Sequence, residues 1–292
     1  MKTKFKLGAD PEYGIYSSKI KATYPPICLS KWDKVPTIEN KEDKEHPFFI
    51  KDNNSKVAVH MDGAAFELLV PPSDNPTDLY NSIQSGLSMA RSVIKPFSYL
   101  SLSDKPALPW DIKEFSLEKV GEDIIYSTRF GCDPDYDAWE GEGELQEEED
   151  ASLHPYRYFG GHIHIGVEYE VRNIIHSVAP TFAKFCAIYL GTLCTSESRH
   201  PEEEQLRLYR YGKPGRYRLP AHGFEYRSPS NSWTTNLDII KNIYTSVEKL
   251  LEVFTNIEYG KKVFKLAEDA RSAIIDYDIE ACKQIHAYAI DS

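Results

Sequence analysis

The chain has 292 residues, of which 41% are hydrophobic and 27% charged, enough to bury a substantial core. Its formal charge is −11, yet residues 133–150 hold ten acidic residues and no basic one, so the remainder is nearly neutral and offers no broad basic surface for nucleic acid. No run approaches the ~18 apolar residues that span a bilayer, and residues 1–7 alternate charge and hydrophobe without an apolar stretch, so neither a membrane span nor a secretory signal is expected.

In chain order, residues 4–16 read as strand, turn and strand around Gly8-Ala9-Asp10-Pro11-Glu12. Pro11 has no backbone donor, which places this element at a strand end, edge or bulge. Residues 25–56 are rich in Pro, Lys, Asp and Asn and read as loops with short strands. Residues 57–60 and 64–70 form a hairpin about Asp62-Gly63, a favoured two-residue turn. Asn75 caps and Pro76 opens a helix to about Ile94, with Leu79, Ile83, Leu87, Ala90 and Ile94 at helical spacing. Residues 124–127 read as a strand, and the acidic segment follows. Its front half, residues 132–139, carries aromatics and is expected to be ordered. Its back half, residues 144–150, reads as disordered or as a lid, because consecutive like charges repel. A strand covers residues 162–169. A helical stretch from 170 to about 194 is kinked or split by Pro180. Residues 198–220 read as an irregular Arg-rich loop, residues 223–229 as a strand, 235–255 as an amphipathic helix, and 261–288 as one or two more helices. No internal repeat or long linker divides the chain, so one domain over residues 1–292 is expected, ending in helices over 235–288.

Polar pairs on strands carry the chemistry. In Gly160-Gly161-His162-Ile163-His164-Ile165-Gly166 the two histidines share a face, as do Glu225 and Arg227 in Phe224-Glu225-Tyr226-Arg227. The histidines read as core residues, a zinc site or a site for a harder ion. Bracketing glycines favour a site, since they permit close approach of backbone or ligand. Glu67 sits in an otherwise apolar run, and a buried carboxylate must be paired or bind metal. With Glu12, Glu67 and Glu225 as companions, the donor set is mostly oxygen, which suits magnesium or manganese rather than zinc. Two readings stay open at three places. Glu225 and Arg227 form a surface ion pair or a site. Asp10 is a turn-former or a ligand. The basic residues Arg199, Arg207, Arg210, Lys213, Arg216 and Arg218 form a solvated surface or a phosphate site, guanidinium forks being suited to phosphate oxygens. Asp62 is explained by its turn. The five cysteines show no C-x-x-C spacing and argue against a disulfide framework or thiolate zinc, which fits a reducing cytoplasm.

Taken in order, the early acidic strand, D-G-x-x-x-E, G-G-H-I-H-I-G and E-Y-R resemble the glutamine-synthetase-fold carboxylate–amine ligases, most closely the phage-type branch. Residues 131–139 are similar to that branch as well. The resemblance implies an α+β catalytic domain, with a curved antiparallel sheet and helices on its convex face. It implies ATP-dependent amide formation, peptide or isopeptide, through an acyl phosphate. It makes Glu12, Glu67, His162 and Glu225 the ligands of Mg2+ or Mn2+. It places His164, Arg216, Arg218 and Arg227 on the ATP phosphates, with Arg227, Arg218 and Glu225 serving the transfer. The expected partners are small-molecule or peptide carboxylates and amines, without nucleic acid or membrane and with an oligomer allowed, in the cytoplasm of a phage host. A metal-dependent hydrolase and a phosphotransferase on the same fold are the alternatives.

Overall fold

The computed structural model describes residues 3–32, 49–51, 56–115, 129–130, 135–140, 149–150 and 153–292. Among these an 11-stranded sheet organises the molecule, and its pairings are antiparallel. Its path runs through Tyr136–Asp137, Arg216–Arg218, Gly223–Tyr226, Ile163–Val167, Phe5–Ala9, Ala65–Ser73, Glu12–Ser17 and Ala22–Thr23. Phe49–Lys51, Ala58–Asp62 and Leu100–Leu102 attach beside this path. This is the mixed helix-and-sheet architecture expected from the sequence.

The expected break at Pro11 has a clear geometry. Phe5–Ala9 and Glu12–Ser17 both pair with Ala65–Ser73, at Ala9↔Val70 and Glu12↔Glu67. The chain thus follows one edge of that strand in the same register on both sides of the break at Asp10-Pro11, the register shift lying earlier, between Leu7 and Ala9. Pro11 cannot donate, but its carbonyl accepts from the Leu68 N–H at 3.0 Å, so the break leaves its backbone acceptor satisfied.

The hairpin forms as expected, with its turn one residue later. Asp62 pairs with Ala65, so the central residues are Gly63 and Ala64. Gly63 takes φ 52°, the positive value at the first central position that a glycine accepts without strain. Helix Pro76–Ile94 has the expected bounds. The Asn75 side chain accepts from the N–H groups of Thr77 and Asp78, a cap worth about 1 kcal/mol.

Pro180 splits the next helical stretch into Tyr169–Ser177 and Ala179–Ser196, bent by 96°. No single described helix is long and apolar enough to cross a membrane. Helix Leu237–Phe254 follows, and Ile257–Phe264, Ala267–Ile275 and Ile279–Asp291 replace the one or two helices expected after it.

Two stretches read as loops are more regular. Pro26–Trp32 is helical, and the 198–220 segment contains helix Pro201–Arg210 and strand Arg216–Arg218. The 201–210 helix has Pro at its start, three glutamates in its first turn and Arg207 and Arg210 in its last. This polarity complements the helix dipole, and grouping the residues only as Arg-rich hides it. The expected strand at 124–127 lies outside the described residues, as do most of the acidic segment and residues 131–134. Within the acidic segment, Glu149–Asp150 pairs with Arg129–Phe130, and Tyr136–Asp137 joins the main sheet.

Strand alternation divides the sheet into two faces. Leu7, Tyr13, Ile15, Phe66, Leu68, Ile163, Ile165, Phe224 and Tyr226 enter one core with Leu79, Ile83, Phe182, Tyr189 and Ile243 from the helices. The intervening residues Glu12, His60, Glu67, His164 and Glu225 take the opposite parity. A smaller cluster of Ala65, Leu108 and Phe159 covers part of that second face. The sheet therefore has a packed side and a polar side.

Candidate active site

Register brings the polar residues together. Gly8 lies opposite His164, and His164 lies opposite Glu225 on its other side. Arg218 is cross-strand from Glu225, while Glu67 sits between Glu12 and His60. Asp10 follows Ala9, whose partner is Ile163, so its carboxylate reaches both histidines. Its Oδ1 is 3.1 Å from His162 Nδ1 and its Oδ2 is 3.2 Å from His164 Nε2. His162 Nδ1 is also 3.6 Å from Glu225 Oε1. Arg227 bonds the same Glu225 oxygen through Nη1. The Glu225 and Arg227 side chains are only 6% and 2% exposed, which rules out a surface ion pair.

Electrostatics separate these carboxylates into two kinds. Burial alone would raise Asp10, but His162 and His164 outweigh it and hold its carboxyl well below the ordinary value. Glu225 is likewise opposed by burial and lowered on balance by Arg227, His162 and His164. Glu12 and Glu67 go the other way. Burial, followed by the charges of Asp62 and Asp10, pushes Glu12 up to about 8 despite a Gly160 N–H 2.7 Å from its Oε2. Burial and then Asp10, Asp62 and Glu12 push Glu67 well above its usual range. His60 Nε2 lies 3.3 Å from Glu67 Oε2. Buried acids that raise one another's pKa values are a site that lacks positive charge.

Burial and Arg227 lower His162, whereas Asp10 overcomes burial and raises His164. The proton shared with Asp10 is therefore better held by His164. A neutral His162 whose Nδ1 carries the proton that faces Asp10 has Nε2 as an acceptor. The Tyr211 hydroxyl lies 3.3 Å from that nitrogen and 3.3 Å from Arg227 Nη2. Tyr211 thus links guanidinium and imidazole.

Backbone near-contact holds this arrangement. A Cβ on Gly161 would stand 2.3 Å from the Ser230 carbonyl oxygen, so only glycine lets the histidine strand run against residues 228–231. Asn231 Nδ2 donates to the Glu12 carbonyl at 2.7 Å. Arg207, one of the basic residues considered for phosphate, is buried and donates to the carbonyls of Ser228 and Pro229 at 2.7 and 3.1 Å. Its role is to clamp the chain just after Arg227. Buried Glu204 completes the clamp by accepting from Ser198, Ser230 and Ser232.

Donor atoms of Asp10, His164 and Glu225 lie within 4.8 Å of one another, comparable to the width of a coordination shell with bonds of roughly 2.0–2.6 Å. Asp10 belongs to this group although its turn-forming chemistry left it ambiguous in sequence. Glu12, Glu67 and His162 lie outside this group of three and adjoin it, the glutamates through repulsion with Asp10 and His162 through its 3.1 Å approach to Asp10. The donors fit a hard divalent cation, being oxygen-rich with only imidazole nitrogen. A cavity of about 1590 Å3 reaches Asp10, Glu67 and His164, more than the roughly 300–1,000 Å3 of a typical small-ligand pocket. Arg227 instead lines a small space with Arg210, Lys213, Arg216 and Asp135.

Tyr211 and His60 join the site without a sequence motif to mark them, and Asp135 joins it from the 131–139 segment that resembles the phage-type branch. Asp10 did have a signal, its two-residue spacing from Glu12. Arg216 is paired with Asp135 and Asp137 at 3.0 and 3.3 Å. The four described cysteines, Cys28, Cys186, Cys194 and Cys282, are buried.

Comparison with curated proteins and with solved structures gave no match. Residues 150–275, which contain His162, His164, Glu225 and Arg227 but not Asp10, Glu12 or Glu67, match the family model described as Phage phiEco32-like COOH.NH2 ligase-type 2, the phage-type carboxylate–amine ligase family that the four motifs resemble.

Proposed function

We propose that the protein joins a carboxylate to an amine at the expense of ATP, on a catalytic domain of the glutamine-synthetase type. The observation that supports this best is the adjacency of two unlike groups on one sheet face. Asp10, Glu12, Glu67 and Glu225 with two histidines form an anionic half, and Arg227 adjoins it through Glu225. Amide formation from a free carboxylate is uphill in water, so the carboxylate needs activation, here by phosphoryl transfer from ATP to give ADP and an acyl phosphate, whose carbonyl carbon the amine attacks with release of inorganic phosphate. Such transfer asks the protein mainly for positioning and charge stabilisation.

The residues divide that work. Glu12, Glu67, His162 and Glu225, with Asp10 added by the geometry, would hold Mg2+ or Mn2+, which when bound neutralises phosphate oxygens. His164 would contact the ATP phosphates. Arg227, kept in place by Glu225 and Tyr211, would face the transferring phosphoryl, with Arg218 across the strand from Glu225. Arg216 reaches phosphate only by leaving Asp135 or Asp137. The cavity has room for a small-molecule or peptide substrate beside the nucleotide. Action in the cytoplasm of a phage host belongs to the same reading.

Titration calorimetry tests it. ATP should bind in the presence of magnesium or manganese and lose most of its affinity in EDTA. Equal affinity in both removes the metal bridge. ATP consumption that requires both a carboxylate and an amine distinguishes the ligase from a hydrolase, which needs no ATP, and from a phosphotransferase, which needs no amine.

A further inference from the structure

One carboxylate stands where the proposed reaction needs an anion. Asp135 Oδ1 is 3.0 Å from Arg216 Nη1, and its Oδ2 is 3.6 Å from Arg227 Nε. The two oxygens of one carboxylate therefore bridge two guanidiniums, and all three side chains are at most 14% exposed. Arg210 and Lys213 line the same small space. What remains there is about 10 Å3, at or below the room one water needs. No phosphate fits while Asp135 stays.

The segment carrying Asp135 is anchored independently of that carboxylate. Tyr136 and Asp137 pair with Tyr217 and Arg216, and the Tyr136 ring stacks on Tyr217 at 5.3 Å. Trp139 packs where a Cβ on Gly215 would lie 2.4 Å from its ring, and its Nε1 donates to Glu268 at 2.8 Å. Asp137 Oδ1 accepts from the N–H groups of Trp139 and Glu140. Asp135 lies one residue outside this ladder, so its side chain can leave the guanidiniums without breaking a strand pair. Two oxygens on a planar carbon also present the contacts that a phosphoryl group presents to a guanidinium fork.

We infer that Asp135 is a built-in counter-anion at a phosphoryl-binding site formed by Arg216 and Arg227, and that an incoming phosphoryl group binds by displacing it. The inference rests on the ligase reading and deepens it by giving Asp135 a role at the phosphate site of Arg216 and Arg227. It requires only an anion site, so it can be tested without turnover. Displacement sets apparent affinity by competition: the ligand pays for the Asp135 pairs that it breaks.

The test measures binding of inorganic pyrophosphate, without metal, to the full chain by calorimetry. Asp135→Asn keeps the shape and loses the charge, and should tighten pyrophosphate by tenfold or more. Asp137→Asn serves as the control. Asp137 is 3.3 Å from Arg216 but does not bridge to Arg227, and asparagine retains its capping oxygen. General removal of negative charge would raise affinity similarly in both variants, whereas displacement raises it selectively in Asp135→Asn. Arg216→Gln in the Asp135→Asn background should cancel the gain. Equal gains, no gain in Asp135→Asn, or no pyrophosphate binding by either variant overturns the inference. None of those results touches ATP use at a metal site, which the EDTA comparison decides.

Discussion

Replacing Glu12 by glutamine should stabilise the metal-free protein. Folding lifts the Glu12 carboxyl from 4.5 to about 8, through burial and then the charges of Asp62 and Asp10. Between these values the unfolded chain has released a proton that the folded chain still holds. Raising the pH therefore favours the unfolded state, and the contribution present below pH 4.5 is lost as pH rises through about 8. At pH 7 the penalty is about 1.4 kcal/mol for each pH unit above 4.5, or a few kcal/mol at most. Glu67 shares the repulsion, so relaxation of the pair reduces this upper bound. Glutamine avoids the ionisation and can still offer an oxygen to the Gly160 N–H, which lies 2.7 Å from Oε2. Urea unfolding in EDTA should show Glu12→Gln more stable than wild type by up to about 3 kcal/mol at pH 7. The gain should vanish below pH 4.5 and grow toward pH 8. Magnesium should narrow or reverse the difference, because it stabilises only the chain that retains the ligand. A variant less stable than wild type at pH 8 in EDTA would show that the carboxylate is not under repulsion.

The other substitutions test different parts of the same face. Glu67→Ala and Glu225→Ala should each lower turnover by about 10²-fold or more while circular dichroism remains that of a folded protein; activity above about a tenth of wild type contradicts the assignment. Arg227→Lys keeps the charge and loses the planar fork, so kcat should fall by about 10²–10³ while ATP affinity changes much less. A near-normal kcat would take Arg227 out of the transfer step. Gly161→Ala places a Cβ 2.3 Å from the Ser230 carbonyl oxygen, where the obstacle is backbone. Thermal unfolding should drop by several degrees, and an unchanged Tm would mean that the two chains separate without cost.

What the sequence revealed is mostly local. Asn75-Pro76 signals a helix start because cap and proline act within one turn. The period-two spacing of His162 with His164 and of Glu225 with Arg227 already gave their shared face. The 198–220 stretch was legible too: Pro201, the glutamates and the terminal arginines have the order of a helix, once position is weighed above composition. Tyr211 was not, because it acts through partners distant in sequence and its surroundings carry no distinctive spacing. Asp135 stood in a segment with a family resemblance, but nothing local showed that its carboxylate bridges two arginines.

The arginines show why composition alone misleads. Arg207, Arg216 and Arg227 come from one basic concentration, yet burial gives each a different set of acceptors. Arg207 spends its donors on two carbonyls, Arg216 on Asp135 and Asp137, and Arg227 on Glu225 and Tyr211. A buried guanidinium must be paired, so its partner decides its role. The acids obey the same rule through one local device. At the strand break over Asp10-Pro11, Asp10 lies against His162 and His164 while Glu12 pairs opposite Glu67. Asp10 is thereby charged and paired, while Glu12 is raised and short of positive charge. A single proline-marked break thus places a stable anion beside acids that a cation would satisfy, the arrangement that the proposed phosphoryl transfer would use.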